Sequence, residues 1–210
     1  MLYPYTHLPE RQVEDSVRAM TAAERLAVVQ AYVGDRANRR HRPGRALERI
    51  DYRFDVLADY GAFRDLQRHR MLTIEWQALT PRHGYDMPDA VALAGAGDEY
   101  ERAMGRSAEL YELLEPRFPA EASYAVCLAY RVRFSMQMNA REAMHLLELR
   151  SGPQGHPAYR EVAQEMHRLI EDEAGHPAVA AMMRFVDHSP EPALERLDAE
   201  RRAEARRQER

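Results

Sequence analysis

Two stretches of strict alternation, each followed by a helix-capping residue, constrain this chain most. Ile50, Tyr52, Phe54 and Val56 alternate with Asp51, Arg53 and Asp55, while Tyr130, Val132, Phe134, Met136 and Met138 alternate with Arg131, Arg133, Ser135 and Gln137. Successive side chains of a strand point to opposite faces, so each stretch reads as a half-buried strand with one apolar and one polar face. Asp59 caps a short helix that leads into Arg68-His69-Arg70, and Asn139 precedes a helix over Ala140–Leu149 that ends at Arg150. Met71–Trp76 is apolar and β-prone, a third strand, followed by a turn over Thr80–Gly84. A few strands separated by helices predict an α+β domain.

The rest of the pattern is helical. Arg11 to Tyr32 predicts a helix in two pieces, the first with Val13, Val17 and Met20 as its apolar stripe and the second opened by the capping box Thr21-Ala-Ala-Glu24. Gly34 to Gly44 is a basic loop that, with Arg45 beyond it, carries Arg36, Arg39, Arg40 and Arg42. Ala90 to Glu115 predicts one long helix with Tyr100, Met104, Ala108, Tyr111 and Leu114 on one face. Pro157 opens another helix, with Tyr159, Val162, Met166, Leu169 and Ile170 inward, and Pro177–Asp187 adds a short last one. At 210 residues the expectation is a single domain over 1–190 and a charged tail, helical or disordered, over 191–210.

Composition removes several kinds of chemistry. The chain has no lysine, so every long basic side chain is a planar, permanently charged guanidinium, and neither a Schiff-base lysine nor a P-loop lysine is available. A net charge of −4, with acids and arginines interspersed, disfavours a nucleic-acid partner. A single cysteine, Cys127, excludes an internal disulfide; it is expected to be a buried, inert thiol in a reducing cytosol. No apolar run is long enough for a membrane span and Met1–Pro9 lacks a signal-peptide core, so the expected location is cytoplasmic, with no membrane partner. His145, His156, His167, His176 and His188 show no metal-ligand spacing, so no metal is expected. Ser123 and Ser135 lack a visible base. Burial in the core is the default for Trp76.

What composition does not account for is where the arginines cluster. Arg68 and Arg70 flank an imidazole at the end of a helix, an arrangement suited to flat, bidentate acceptors such as phosphates and flavin or pyrimidine N–C=O edges. Asn139 and Arg141 stand at a strand-to-helix junction, where first-turn amides also favour an anion; a plain N-cap is the equal alternative for Asn139. Arg150 lies nine residues further along the same helix, about 13 Å away.

With these residues in place, the chain resembles the flavin-dependent thymidylate synthases. The carriers are YRFDVLADYGAFRDLQRHR at 52–70, MQMNAREAMHLLELR at 136–150 and the helix YREVAQEMHRLI at 159–170. It also resembles the second of two synthase-like halves of some longer bacterial proteins. The resemblance implies an α+β fold with a small central, mostly antiparallel sheet flanked by long helices. It implies a homotetramer holding FAD, or assembly with a second synthase-like domain. The implied reaction methylates dUMP to dTMP, with methylenetetrahydrofolate and NADPH as co-substrates. Carried over by motif, Arg68, His69, Arg70, Asn139, Arg141 and His145 bind the flavin cofactor; Arg68, Gln77 and Arg150 bind the nucleotide; and Arg150 is the catalytic residue that favours ionisation at N3 of the pyrimidine.

The chain departs from the family pattern around the nucleotide. The family's Glu-Gln-Ser becomes Trp76-Gln77-Ala78, its Arg-Tyr-Val-Leu-Pro becomes Ser123-Tyr124-Ala125-Val126-Cys127, and its Ala-Gln-x-Glu-Ile-Arg becomes Gly155-His156-Pro157-Ala158-Tyr159-Arg160. Loss of a charge-assisted phosphate contact costs about 1.5–3 kcal/mol, enough to weaken dUMP binding severely. Arg36, Arg39, Arg40, Arg42 and Arg45 are candidates to replace it, against the plainer expectation of a solvated loop. The alternative function is a non-catalytic flavin-binding or structural domain that assembles with an active synthase copy.

Overall fold

Both alternating stretches fold as strands, and each passes directly into the helix its cap opens. In the computed structural model, which describes residues 1–190 with Arg201 and Ala205, β1 spans Asp51–Asp59 and β3 spans Arg131–Asn139. Tyr52, Phe54, Val56 and Ala58 are buried, and so are Val132, Phe134, Met136 and Met138. Their odd-numbered neighbours lie on the open face. With β2 (Leu72–Trp76) they form an antiparallel three-stranded sheet in the order β1-β3-β2. The fold is α+β, as expected. The chain divides into two interleaved compact units.

One unit comprises Arg53–Gln137 and His156–Val162 and contains most of the sheet. Asp59 caps α3 (Tyr60–Leu66) by accepting from the Ala62 amide at 2.8 Å, and Ala62, Phe63 and Leu66 are buried. The Phe63 ring meets Phe134 edge-on, with centroids 4.9 Å apart. The expected single helix over 90–115 is instead α4 (Asp89–Leu93) and α5 (Gly97–Leu114). Gly95 separates them with φ of 69°, a left-handed conformation that glycine adopts without a Cβ penalty and that ends α4. Met104 and Tyr111 of α5 pack with Ala122, Val126 and Tyr130, and the Tyr130 hydroxyl donates to the Met104 carbonyl at 2.6 Å.

The other unit comprises Met1–Tyr52, Met138–Gly155 and the chain from Ala163 onward. Its two N-terminal helices, α1 (Glu10–Ala19) and α2 (Ala22–Val33), are joined through the capping box: the Thr21 hydroxyl accepts from the Glu24 amide while the Glu24 carboxylate accepts from the Thr21 amide. No residue of either helix is fully buried, so the apolar stripes are only half-covered. The core is built on α6 (Ala140–Arg150), with Ala143, Met144, Leu146 and Leu147 buried. It continues with Ala163, Met166 and Ile170 from the second half of α7 (Pro157–Glu171). The last helix, α8, is Pro177–Met182, shorter than expected. Beyond it the chain is pinned by side chains: the Asp187 amide donates to Ser151 Oγ at 2.9 Å and the Gln164 side chain donates to the Asp187 carbonyl at 2.8 Å. The expected tail over 191–210 lies outside the described residues apart from Arg201 and Ala205. Among the described residues, no helix is long and apolar enough to cross a membrane.

Candidate functional site

The expected site residues fall on two short segments, one in each unit. Arg68, His69 and Arg70 connect α3 to β2, and Gln77 follows β2. The Arg68 guanidinium sits 3.1 Å from the Asp65 carboxylate, one helical turn back, and stays largely exposed. His69 is buried; Arg70 and Gln77 are exposed. Of these four side chains only the imidazole is buried; both guanidiniums and the Gln77 amide are exposed.

The open face of the sheet beside Gln77 holds a cavity of about 540 Å³, lined by Arg53, Asp55, Glu75, Gln77, Arg133 and Ser135 together with Trp76 and Phe134. Arg133 donates to Asp55 at 2.9 Å. The lining is thus mostly charged or amide-bearing, which suits a polar ligand with both donors and acceptors. Trp76 is not a core residue as expected: it is 58 % exposed, resting on Phe63 at 5.4 Å between ring centroids. Its position at the last residue of an edge strand leaves one face of the ring without a covering element. Cys127, expected to be buried, is exposed.

On α6 the helix start is settled by hydrogen bonding. Asn139 Oδ1 accepts from the Glu142 amide at 2.9 Å, so Asn139 is an N-cap, and the amide NH₂ is the part of it left to face a ligand. Arg141 donates to the Pro43 carbonyl at 3.1 Å and to Glu48 at 3.0 Å. Arg45 joins this pairing, and the two guanidiniums hold the Glu48 carboxyl below its ordinary range, Arg45 contributing most. His145 is exposed and one turn on from Arg141, on the same face. Arg150 is nine residues from Arg141, which places it about half a turn around the helix, on the opposite side. A single α6 therefore presents Arg141 with His145 to one side and Arg150 to another.

A buried guanidinium lies at the centre of this unit where a solvated loop was expected. All five N–H groups of Arg36 are used: Nε to the His41 carbonyl at 2.6 Å, Nη1 to Glu148 Oε1 at 2.6 Å and the Met182 carbonyl at 3.1 Å, Nη2 to Glu148 Oε2 at 2.6 Å and the Arg39 carbonyl at 3.2 Å. The Phe185 ring covers it at 5.2 Å. Arg36 is thereby removed from the candidate replacement phosphate forks, whereas Arg45 stays largely exposed while pairing with Glu48 at 2.9 Å. Nothing in the local sequence marks Arg36 out from the arginines around it, or Glu148 from the other acids of α6.

Three of the chain's histidines have partners within the protein. His176 Nδ1 meets the Tyr52 hydroxyl at 2.9 Å, and burial pushes that phenol up to about 12. His188 Nε2 meets His167 Nδ1 at 3.1 Å, while His167 Nε2 faces the Ala180 carbonyl at 3.0 Å. Burial first, and then the neighbouring His167 and Arg168 charges, lower the His188 pKa.

The fold is an α+β scaffold with a capped Asn-Ala-Arg-Glu helix and an Arg-His-Arg segment ahead of an edge strand. The chain belongs to the thymidylate synthase complementing protein family, whose model matches residues 2–176. Among solved structures it is similar to the UMP/dUMP methylase PolB from Streptomyces cacaoi bound with 5-Br dUMP, with a TM-score of 0.62 and 20% identity, covering 78% of this chain and 82% of that one. It is also similar to thymidylate synthase X from Helicobacter pylori with FAD and dUMP, with a TM-score of 0.60 and 17% identity, covering 85% of this chain and 91% of that one. Both share the fold. Curated relatives are more similar in sequence: the UPF0159 protein of Chlamydia muridarum is 38% identical over 204 residues, and Ta1429 of Thermoplasma acidophilum 37% over 202. These residues are 97% and 95% of this chain but 38% and 40% of the relatives, so the chain spans well under half the length of the curated proteins it matches.

Proposed function

We propose that this chain is a flavin-binding domain of thymidylate synthase type, which methylates dUMP to dTMP using methylenetetrahydrofolate and a reduced nicotinamide. The observation that carries this reading is the family match over 2–176, which contains both motif segments. The donor set fits FAD: exposed guanidiniums at Arg68 and Arg70 and a half-exposed one at Arg141 suit phosphates and the flavin N–C=O edge, with His69, His145 and the Asn139 amide beside them in sequence. FAD, when bound, supplies hydride transfer from the nicotinamide. Arg68 and Gln77 hold the nucleotide. Arg150 provides a fixed cation at N3 of the pyrimidine, which favours its ionisation because the opposite charge stabilises the anion where it develops. The working assembly is a homo-oligomer, a tetramer by family likeness, or a pairing with the remainder of a longer chain.

A second reading is a non-catalytic domain that binds flavin or braces an active copy. Two observations favour it: Ala78 and Ser123 stand where the family carries a hydroxyl and an arginine for the nucleotide, and the relatives are more than twice as long. Chromatographic assay of dTMP after incubation with FAD, dUMP, methylenetetrahydrofolate and NADPH separates the two. Product formation supports the synthase; flavin binding without product supports the second reading. Arg70→Ala is expected to strip flavin from the purified protein. Arg150→Ala is expected to keep flavin and lose its spectral response to dUMP, and an unchanged response would reject the N3 role.

A further inference from the structure

The loop between α2 and β1 is built as a rigid presenter of arginines. The Asn38–His41 turn is closed by the His41 amide donating to the Asn38 carbonyl at 3.1 Å, with Arg39 and Arg40 at its two central positions. Asn38 Oδ1 also accepts from the Arg40 amide at 2.9 Å. The turn is fixed from beneath by Arg36, only 2 % exposed, which takes the Arg39 and His41 carbonyls while holding Glu148. Downstream, the Pro43 carbonyl accepts from Arg141, and the Tyr32 hydroxyl accepts from the Ala46 amide at 2.8 Å. Gly44 is needed there, because a Cβ would lie 2.2 Å from that hydroxyl oxygen.

Immobilised backbone on this scale would be expected to bring polar side chains inward. Instead Arg39, Arg40 and Arg42 are all exposed, and none has a carboxylate partner among the described residues. By contrast, Arg18 and Arg102 on other helices lie against acids of their own helix. Asp35 is the one acid between Gly34 and Gly44, and Arg36 is already neutralised by Glu148, so the loop presents excess positive charge on a chain whose net charge is −4. Guanidinium forks carried on a fixed turn match the several oxygens of a phosphate group, and the ordering of the backbone that bears them is met before binding.

We propose that Arg39, Arg40 and Arg42 form a phosphate-recognition site for a nucleotide, set beside Arg141 through Pro43. Anion binding by the loop stands by itself; that its ligand is a nucleotide rests on the function proposed above. Two nucleotide sources share the chemistry, dUMP and the FAD pyrophosphate.

The test is calorimetric titration of the whole chain with inorganic pyrophosphate, then with dUMP against deoxyuridine and FAD against riboflavin. The triple variant R39Q/R40Q/R42Q is compared with wild type and with the exposed-arginine control R18Q/R102Q. All substituted side chains are exposed, and circular dichroism and the melting transition verify the fold. Pyrophosphate is expected to bind wild type and the control alike, and the triple variant at least about tenfold more weakly, the scale of one lost charge-assisted contact. The nucleotide whose affinity falls in the triple variant, while its phosphate-free counterpart is unaffected, is the ligand. Pyrophosphate affinity unchanged in the triple variant, equally reduced in the control, or absent in wild type overturns the site. Loop-dependent pyrophosphate binding with no binding of dUMP or FAD keeps the site and removes the nucleotide reading instead.

Discussion

Arg36–Glu148 and Arg133–Asp55 are the same chemical pair in opposite settings. The first is a two-pronged contact at 2.6 Å with side chains 3% and 1% exposed; the second is a single contact at 2.9 Å with side chains 38% and 66% exposed. Burial makes the first pair structural, since neither charge can return to water and every guanidinium N–H has found an acceptor. Exposure leaves the second pair weak and exchangeable, so that the sheet-face cavity keeps polar groups which a ligand can re-pair. The lesson is that in an all-arginine chain the residue type says little about role; the solvent around it decides.

The largest expected effect breaks the buried pair. Arg36→Ala leaves Glu148 charged and unpaired in the core, so urea denaturation is expected to show a loss of about 3–5 kcal/mol. Replacing both by apolar residues, Arg36→Leu with Glu148→Leu, is expected to cost much less, because no charge remains stranded. Next, Asn139→Ala removes the α6 cap and is expected to lower stability by about 1 kcal/mol in the same measurement. The pH dependence comes from His188, whose pKa burial and the His167 charge depress. Below the ordinary imidazole value near 6.5 the unfolded chain takes up a proton that the folded chain resists. The stability present above that pH is therefore lost on acidification through the lowered folded value. Melting temperatures from pH 8 to pH 5 are expected to fall for wild type and to flatten for His188→Gln. The smallest effect belongs to the exposed pair: Arg133→Ala is expected to cost about 0–1 kcal/mol, vanishing in high salt. A loss there as large as that of Arg36→Ala would erase the distinction between the two regions.

How much of this was legible in sequence follows the same divide. Alternation at 50–56 and 130–138, with an Asp or Asn cap following, exposes strand, face and cap at once, because a period of two and a capping residue are local signals; both strands and both caps are found. The capping box at Thr21 is equally local. The single helix expected over 90–115 failed at Gly95, since one left-handed residue ends a helix whose apolar stripe continues past it. Trp76 and Cys127 defaulted to the core by residue type and came out exposed, because their strand end and turn have no element over them. Arg36 was unreadable: its partner is 112 residues away, and only the folded chain brings them together. Of the site, the motif segments were legible; that Arg141 and Arg150 occupy opposite sides of α6 follows from spacing alone.

The most direct test of the central claim, that this chain binds flavin and handles a pyrimidine nucleotide beside it, is the visible absorption spectrum of the purified protein with and without dUMP. The account predicts a bound-flavin spectrum that dUMP perturbs and that Arg70→Ala abolishes. A colourless protein that gains no flavin band on incubation with FAD would contradict it.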